Sequence, residues 1–377
     1  MRQINWGIIG PGSIAKAFTY SIAGTTNSKL ISVFGRNPQK TDNFASKFGL
    51  EPHHRLNDFI SSQEIDAIYI STPHSEHFFY ALEAIKNGKH VLCEKPLTMN
   101  AYESMVLIDL ANSKNVFLME AFMYRGHPQT RNILKNLSFL SNSKEKILIE
   151  ASFGFTADVS KVHRLRNPDL GGGAILDVGC YPLTMAKLIA GHLQGLSFAE
   201  PKSISATGQI DETGVDLQSH AHIVFNDLIE AKISCAINEN FSNNLIISSG
   251  KYSISVADPW HCGQFHEGNS SIHLLNEGVN SQEIKCIDNV GLFTREIEHA
   301  SSCILEQKVE SDLISHADTQ SNMFWLDMWR QEMKINCPRS RIKNSPILQS
   351  QAYLFQDTQL KSTELPGLNK SGSRLAL

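Results

Sequence analysis

The residues able to do chemistry in this chain gather in a few short stretches. An apolar run, Val91-Leu92-Cys93, stops at Glu94-Lys95-Pro96, which puts an acid and an amine at the tip of a buried strand. Two other strand-like runs end in polar clusters: Ser71-Thr72-Pro73-His74 with His77, and Glu120 with Tyr124-Arg125 and His127. In an open α/β sheet, ligands collect beyond the carboxyl ends of the strands, so three such ends point to one cleft. Further along, Gly171-Gly172-Gly173 leads into Asp177 and Tyr181. These two are four residues apart and share one face of a helix, and Pro182 is expected to bend that helix beside Tyr181. The plainer reading is an aspartate on the helix dipole and a packed tyrosine. Arg164, Arg166 and Asn167 supply nearby donors for hydroxyl groups.

At the N-terminus, Gly10-x-Gly12-x-x-Ala15 lies between a first strand and a first helix, with Ser13 and Ile14 opening the helix. Glycines there allow a tight turn and the approach of a pyrophosphate, and the helix end supplies positive potential. The spacing predicts dinucleotide binding at Gly10, Gly12, Ser13, Ile14 and Ala15. The second strand ends in Gly35-Arg36-Asn37. An acid at that point would favour NAD, whereas Arg36 can pair with a 2′-phosphate, so NADP is expected and NAD stays possible. A solvated surface arginine is the alternative.

The elements that must position these residues change character along the chain. Strands alternate with helices from residue 4 to about 120, which predicts an α/β, doubly wound parallel sheet. Asn100, three residues before Glu103, resembles a capping box. After about residue 145, long alternating runs predict an open, mostly antiparallel sheet: 146–155, 203–210, 215–225, 230–237, 245–256 and 271–275. Helices are expected at 293–309 and 316–334. The expected division is a dinucleotide-binding domain over 1–124, a substrate and dimerisation α/β domain over 125–338, and a polar tail or linker over 339–377.

The 377 residues, with 41% hydrophobic and 19% charged, suit two globular domains. A net charge of −4 gives no basic excess for nucleic acid or anionic lipid. No uninterrupted apolar run approaches about 18 residues, so no membrane partner is expected. Seven scattered cysteines without a C-x-x-C pair suggest reduced thiols and a cytoplasmic location. His220-x-His222 lies on an alternating strand, and His261, His266 and His273 lack ligand spacing with Cys or acids, so no metal is expected.

Taken together, Gly10 to Ala15, Thr72-Pro73-His74-x-x-His77, Glu94-Lys95-Pro96 and Gly171-Gly-Gly-x-x-x-Asp177-x-Gly-x-Tyr181 resemble the Gfo/Idh/MocA oxidoreductase family over about residues 4 to 338. Tyr181 in place of the histidine of inositol-dehydrogenase-like members resembles the dihydrodiol dehydrogenase and NADP-dependent xylose dehydrogenase branch. The resemblance implies a Rossmann domain, an open sheet that often forms a dimer interface, and a Lys95-Pro96 bond that is often cis. It also implies cofactor contacts from Thr72, His74, His77, Glu94 and Lys95, with Lys95 beside the nicotinamide. The chemistry implied is hydride transfer between NADP and a carbinol carbon of a sugar or vicinal diol, in a homo-oligomer (dimer or tetramer). A Tyr or Lys at its ordinary pKa of about 10 is a poor base near neutrality. Facing one another, Lys95 and Tyr181 would tune each other toward the working range. Tyr181 is then the proton donor and acceptor, Lys95 its electrostatic partner, and Asp177 an orienting group, with Tyr124 and Arg164 contacting substrate; exchanged roles for Lys95 and Tyr181 remain open. Two further readings are a sugar-nucleotide-modifying dehydrogenase and a non-catalytic NADP-sensing regulator. Residues 365–377 weakly resemble the opening strand of an aldo/keto reductase barrel.

Overall fold

The central strands of the first sheet are apolar runs short enough to be covered on both faces, and its edge strand Glu51–His53 is polar and largely exposed. In the computed structural model, β1 (Ile4–Ile9), β2 (Ser28–Phe34), β3 (Glu51–His53), β4 (Ala67–Ile70), β5 (His90–Glu94) and β6 (Leu118–Ala121) form one parallel sheet in the order β3-β2-β1-β4-β5-β6. The order reverses between β1 and β4, so a crevice opens above their carboxyl ends. Residues 2–143, 145–264, 268–276 and 281–335 are described; His266, Cys337 and the expected tail lie outside them. Helix α1 (Ser13–Ile22) packs Phe18 flat on Tyr69 of β4, centroids 3.9 Å apart, a contact adding about 0.5–1.5 kcal/mol beyond burial. Helices α2 (Pro38–Phe48), α3 (Leu56–Ser61), α4 (His74–Lys86) and α5 (Ala101–Lys114) complete the crossovers. Asn100 caps α5 by accepting from the Glu103 amide at 3.0 Å. Glu103 reaches back to the Met99 amide, one residue beyond the capping-box position.

The second sheet has eight strands: β7 (Ile147–Gly154), β8 (Ser203–Ile210), β9 (Asp216–Val224), β10 (Ile229–Ala236), β11 (Leu245–Ser249), β12 (Tyr252–Val256), β13 (Asn269–Asn276) and β14 (Gln282–Ile287). Their order is β14-β13-β12-β11-β7-β10-β9-β8, antiparallel except between β7 and β10. The run at 245–256, expected as one strand, is a hairpin. Gly250, at φ +55°, turns the chain between β11 and β12. Alternation continues through such a turn, so periodicity alone does not reveal it.

Helix α7 (Cys180–Leu193) covers the inner face of this sheet, packing on β7 and β10. With the turns before it, the run Pro168–Leu193 is long and apolar enough to span a bilayer, yet 94% of its apolar window is buried in the protein. Helix α6 (Pro128–Asn136), which the sequence pattern did not reveal, packs on β13 and β14. Two C-terminal helices, α8 (Thr294–Leu305) and α9 (His316–Glu332), then return to the first sheet. Through α8, Ser301 accepts from Trp6 Nε1 at 2.9 Å and Thr294 donates to Ser21 O at 2.9 Å. The helices expected to belong with the second sheet thus also brace the first.

Candidate active site

The first glycine turn is open where a phosphate would approach. Gly10 sits at φ +97°, and a Cβ there would press on Ser71 O at 3.0 Å; beside Gly12, the nearest atom to an added Cβ is Gly10 O at 4.0 Å. No acid lies in the first turn of α1 to repel an anion. Thr72 Oγ1, at the end of β4, is buried with no hydrogen-bond partner among the described residues. These features fit a dinucleotide: space and amides for the pyrophosphate, and an unused hydroxyl beyond the strand end. Arg36 is two-thirds exposed beyond β2, with Glu76 3.7 Å away.

Lys95 follows β5, and its bond to Pro96 is cis. Its Nζ donates to the backbone carbonyl of Asp177 at 2.7 Å and stands 5.0 Å from the centre of the Tyr181 ring. The amine, on the loop after β5, and the tyrosine, on α7, therefore lie together, and Asp177 meets the lysine through its backbone. Its carboxylate turns away to Arg164, 2.7 Å from the guanidinium and 3.7 Å from His74 Nε2. Burial acts to raise the Asp177 pKa and is outweighed by Lys95, Arg164 and His74, which hold it below its ordinary value.

The geometry linking Asp177 and Tyr181 differs from the expected helix face. Ile175–Gly179 is a π-helical turn, and regular α-helix begins at Cys180. The irregularity precedes Pro182, which lies in the first α-turn, where its missing amide disturbs little. A β9 residue not expected from the sequence supports this turn: Asp216 accepts from Ile175 N at 2.6 Å. Burial pushes the Asp216 carboxyl up to about 7, against the pull of that amide. Gly173, at φ +110°, leaves the space that the Asp216 carboxylate fills. The signal was present as an acid opening a strand, but nothing local connects it with residue 175.

Tyr181 is surrounded by aromatic rings: Phe122, Tyr124, Phe153 and Trp260 all lie within 5.9 Å of its centroid. Its hydroxyl points to Met123 Sδ at 3.6 Å. Burial, then Glu94 and other neighbours, raises its pKa well above the ordinary value. The expectation that Lys95 lowers it is corrected, because the ammonium lies over the ring face and the low-dielectric surroundings dominate.

Other expected contacts are also reassigned. Tyr124 is fully buried, its hydroxyl 3.4 Å from Tyr181 O, so it supports Tyr181 from behind and has no face for substrate. His77 is fully buried with Nδ1 2.9 Å from Pro96 O and Nε2 2.9 Å from Thr72 O, leaving no ring nitrogen for a cofactor. His74 Nδ1 donates to Gly171 O at 2.9 Å, joining the α4 end to the glycine loop. A Cβ on Gly171, at φ +77°, would come within 2.6 Å of Met99 Sδ. Burial lowers the His74 pKa to about 3 and the His77 pKa to about 4. Glu94 accepts from the Tyr69 hydroxyl. Arg166 clamps Asp211 with two hydrogen bonds, and Asn167 caps a short turn at Asp169 N, so neither offers its side chain freely to a hydroxyl.

A doubly wound sheet with an open glycine turn, and a lysine at its edge standing over a buried tyrosine of the helix that covers the second sheet, defines a dinucleotide-dependent oxidoreductase. The chain belongs to the Gfo/Idh/MocA oxidoreductase family: residues 4–122 match its NAD-binding Rossmann fold and residues 145–254 a Gfo/Idh/MocA C-terminal domain. It is accordingly an NAD(P)-dependent dehydrogenase or reductase acting on a small molecule. Among its relatives, a trans-1,2-dihydrobenzene-1,2-diol dehydrogenase of Xenopus tropicalis is 29% identical over 337 residues, covering 88% of this chain and 99% of that protein. A D-xylose 1-dehydrogenase (NADP(+)) of Hypocrea jecorina is 29% identical over 233 residues, 56% of this chain and 60% of that protein. The crystal structure of a 3-ketoreductase from Actinomadura kijaniata, in complex with NADP and TDP-benzene, shares the fold with a TM-score of 0.77 at 21% identity, covering 88% of this chain and 98% of that one.

Proposed function

We propose that the protein is an NADP-dependent dehydrogenase that oxidises a CH–OH group of a sugar or vicinal diol, or reduces the corresponding carbonyl. The observation carrying this reading is the Lys95 ammonium, anchored on Asp177 O at 2.7 Å and placed 5.0 Å over the Tyr181 ring. The names of the dihydrodiol and xylose dehydrogenase relatives support the substrate class. Bound NADP supplies the hydride chemistry; Gly10, Gly12, Ser13, Ile14, Ala15 and Thr72 would hold it, with Arg36 at the 2′-phosphate. One Lys95 N–H is committed to Asp177 O, which leaves two donors for a substrate oxygen. Tyr181, kept protonated by its buried position, is suited to give a proton to that oxygen in the reducing direction. In the oxidising direction the proton leaves through the Lys95–Tyr181 pair. Asp177, locked by Arg164, orients the substrate side of the site. Lys95→Ala and Tyr181→Phe should each lower kcat at least about a hundredfold. A protein that only senses NADP would show no such turnover to lose, and a panel including nucleotide sugars separates that substrate class from free sugars and diols.

The oligomer and location belong to the same proposal. The outer face of β8, β9, β10 and β7 carries a depression of about 570 Å³ lined by Glu150, Thr207, His220, Lys232 and Ser234. Its breadth suits an isologous pairing of two copies. The six described cysteines are free and buried, which suits a cytoplasmic setting.

A further inference from the structure

Glu120 stands opposite Cys93 in the β5–β6 register, one strand away from the Glu94-Lys95 tip. It is 1% exposed. Its Oε1 accepts from the backbone N–H of Leu97, two residues beyond Lys95, at 2.9 Å. Its Oε2 is buried with no hydrogen bond in good geometry among the described residues, although the Thr319 hydroxyl faces it. The cations nearby are engaged elsewhere: Lys187 Nζ donates to Asp318 Oδ1 at 3.1 Å and Asn322 Oδ1 at 2.7 Å, and Arg125 pairs with Asp318. The charged and titratable groups facing Glu120 are Cys93 from β5, Tyr124 beyond β6, Cys180 and Lys187 from α7, and Asp318 from α9, the last paired with Arg125. Among the described residues no cation forms an ion pair with it.

We propose that Glu120 is a positioning residue for Lys95: ionised, it holds the Leu97 amide and with it the backbone that sets the lysine; protonated, it relaxes that hold. A hydrogen bond to a carboxylate is roughly twice as strong as one to a neutral acceptor, so the two forms grip the loop differently. Burial lifts the Glu120 pKa to about 7, with the Leu97 amide, Thr319 and Lys187 pulling it down and Asp318 pushing it up. The hold is thus strengthened as pH rises through neutrality. Two further grips on the loop keep their state there: burial lowers His77 to about 4, and the Arg330 guanidinium donates to Met99 O at 2.7 Å; Glu103 is a separate carboxylate, accepting from the Met99 amide two residues further on. The proposal rests on reading Lys95 as the site lysine, so the test needs a readout apart from turnover.

With ¹⁵N-leucine labelling and the Leu97 signal assigned by its loss in Leu97→Met, the Leu97 amide proton should shift along one titration curve near neutrality. The shift should vanish in Glu120→Gln and persist in Asp216→Asn. In parallel, the acid limb of the kcat profile over the same range should flatten in Glu120→Gln. A Leu97 amide that does not titrate, one that titrates unchanged in Glu120→Gln, or an acid limb unaltered by that substitution overturns the proposal. If Glu120→Gln does not fold, the wild-type titration of Leu97 decides. Absence of any turnover with alcohols and NADP or with carbonyls and NADPH would instead overturn the functional reading, while the amide titration still decides whether Glu120 holds the loop.

Discussion

At the scale of single residues, the site is a set of side chains whose environments push them in opposite directions. Asp177 is held as a carboxylate by Lys95, Arg164 and His74, while Tyr181 is held as a neutral phenol by burial. His74 gives a pH prediction with a definite sign. Burial lowers its folded pKa to about 3, from an unfolded value of about 6.5. The unfolded chain therefore binds the extra proton first, and the stability linked to His74 is lost as pH falls from about 6.5 toward 3. His74→Gln should reduce the slope of Tm against pH across that window, measured by calorimetry at a series of pH values; an unchanged slope would refute the assignment. His77 should behave as a structural residue. His77→Leu removes the single N–H that the neutral ring shares between the Pro96 and Thr72 carbonyls and should cost about 1–3 kcal/mol, read by denaturant unfolding, with cofactor affinity of the folded protein retained. Lys95 stood out in the sequence because a charged pair ends an apolar strand, and Asp177 and Tyr181 because they follow a triple glycine in a motif that resembles the family's. The roles of Tyr124, His77 and Glu120 were not, since each depends on which way a side chain turns inside a packed core.

At the scale of elements, two supports bring the halves of the site together. The loop after β5 carries Lys95, and the π-turn before α7 carries Asp177 and leads into Tyr181. The glycine loop ahead of that turn closes against α4 through His74 and Gly171. Gly171→Ala would place a Cβ 2.6 Å from Met99 Sδ at φ +77°, and positive φ alone costs a non-glycine residue about 1–3 kcal/mol. The substitution should displace the loop toward substrate and raise the substrate KM at least several-fold while leaving NADP affinity unchanged, as read by steady-state kinetics and fluorescence titration. Equal losses in both affinities would place the loop elsewhere. The alternating helices and strands of the first sheet could be read directly, as could the Asn100 cap. The π-turn and its Asp216 support could not, because an extra residue in a helix turn leaves the apolar pattern nearly intact and its partner lies on a distant strand. Likewise, the hairpin at Gly250 hid within a continuous alternation.

At the scale of the whole molecule, α8 and α9 pack back on the first sheet, so cofactor and substrate elements share supports. The open face of the second sheet is the surface proposed for a second copy. Ser234→Glu, set in the middle of that face, should shift the particle toward monomer in light scattering, since two copies would bring like charges together near the symmetry axis. Unchanged mass for both forms would remove this face as the interface. The central claim is tested most directly by NADP reduction followed against a panel of aldoses, inositols, vicinal diols and nucleotide sugars, using the wild-type protein, Lys95→Ala and Tyr181→Phe. The account predicts turnover of a free sugar or diol by the wild type and a loss of at least about a hundredfold in kcat in each variant. Turnover undiminished in both variants would contradict it.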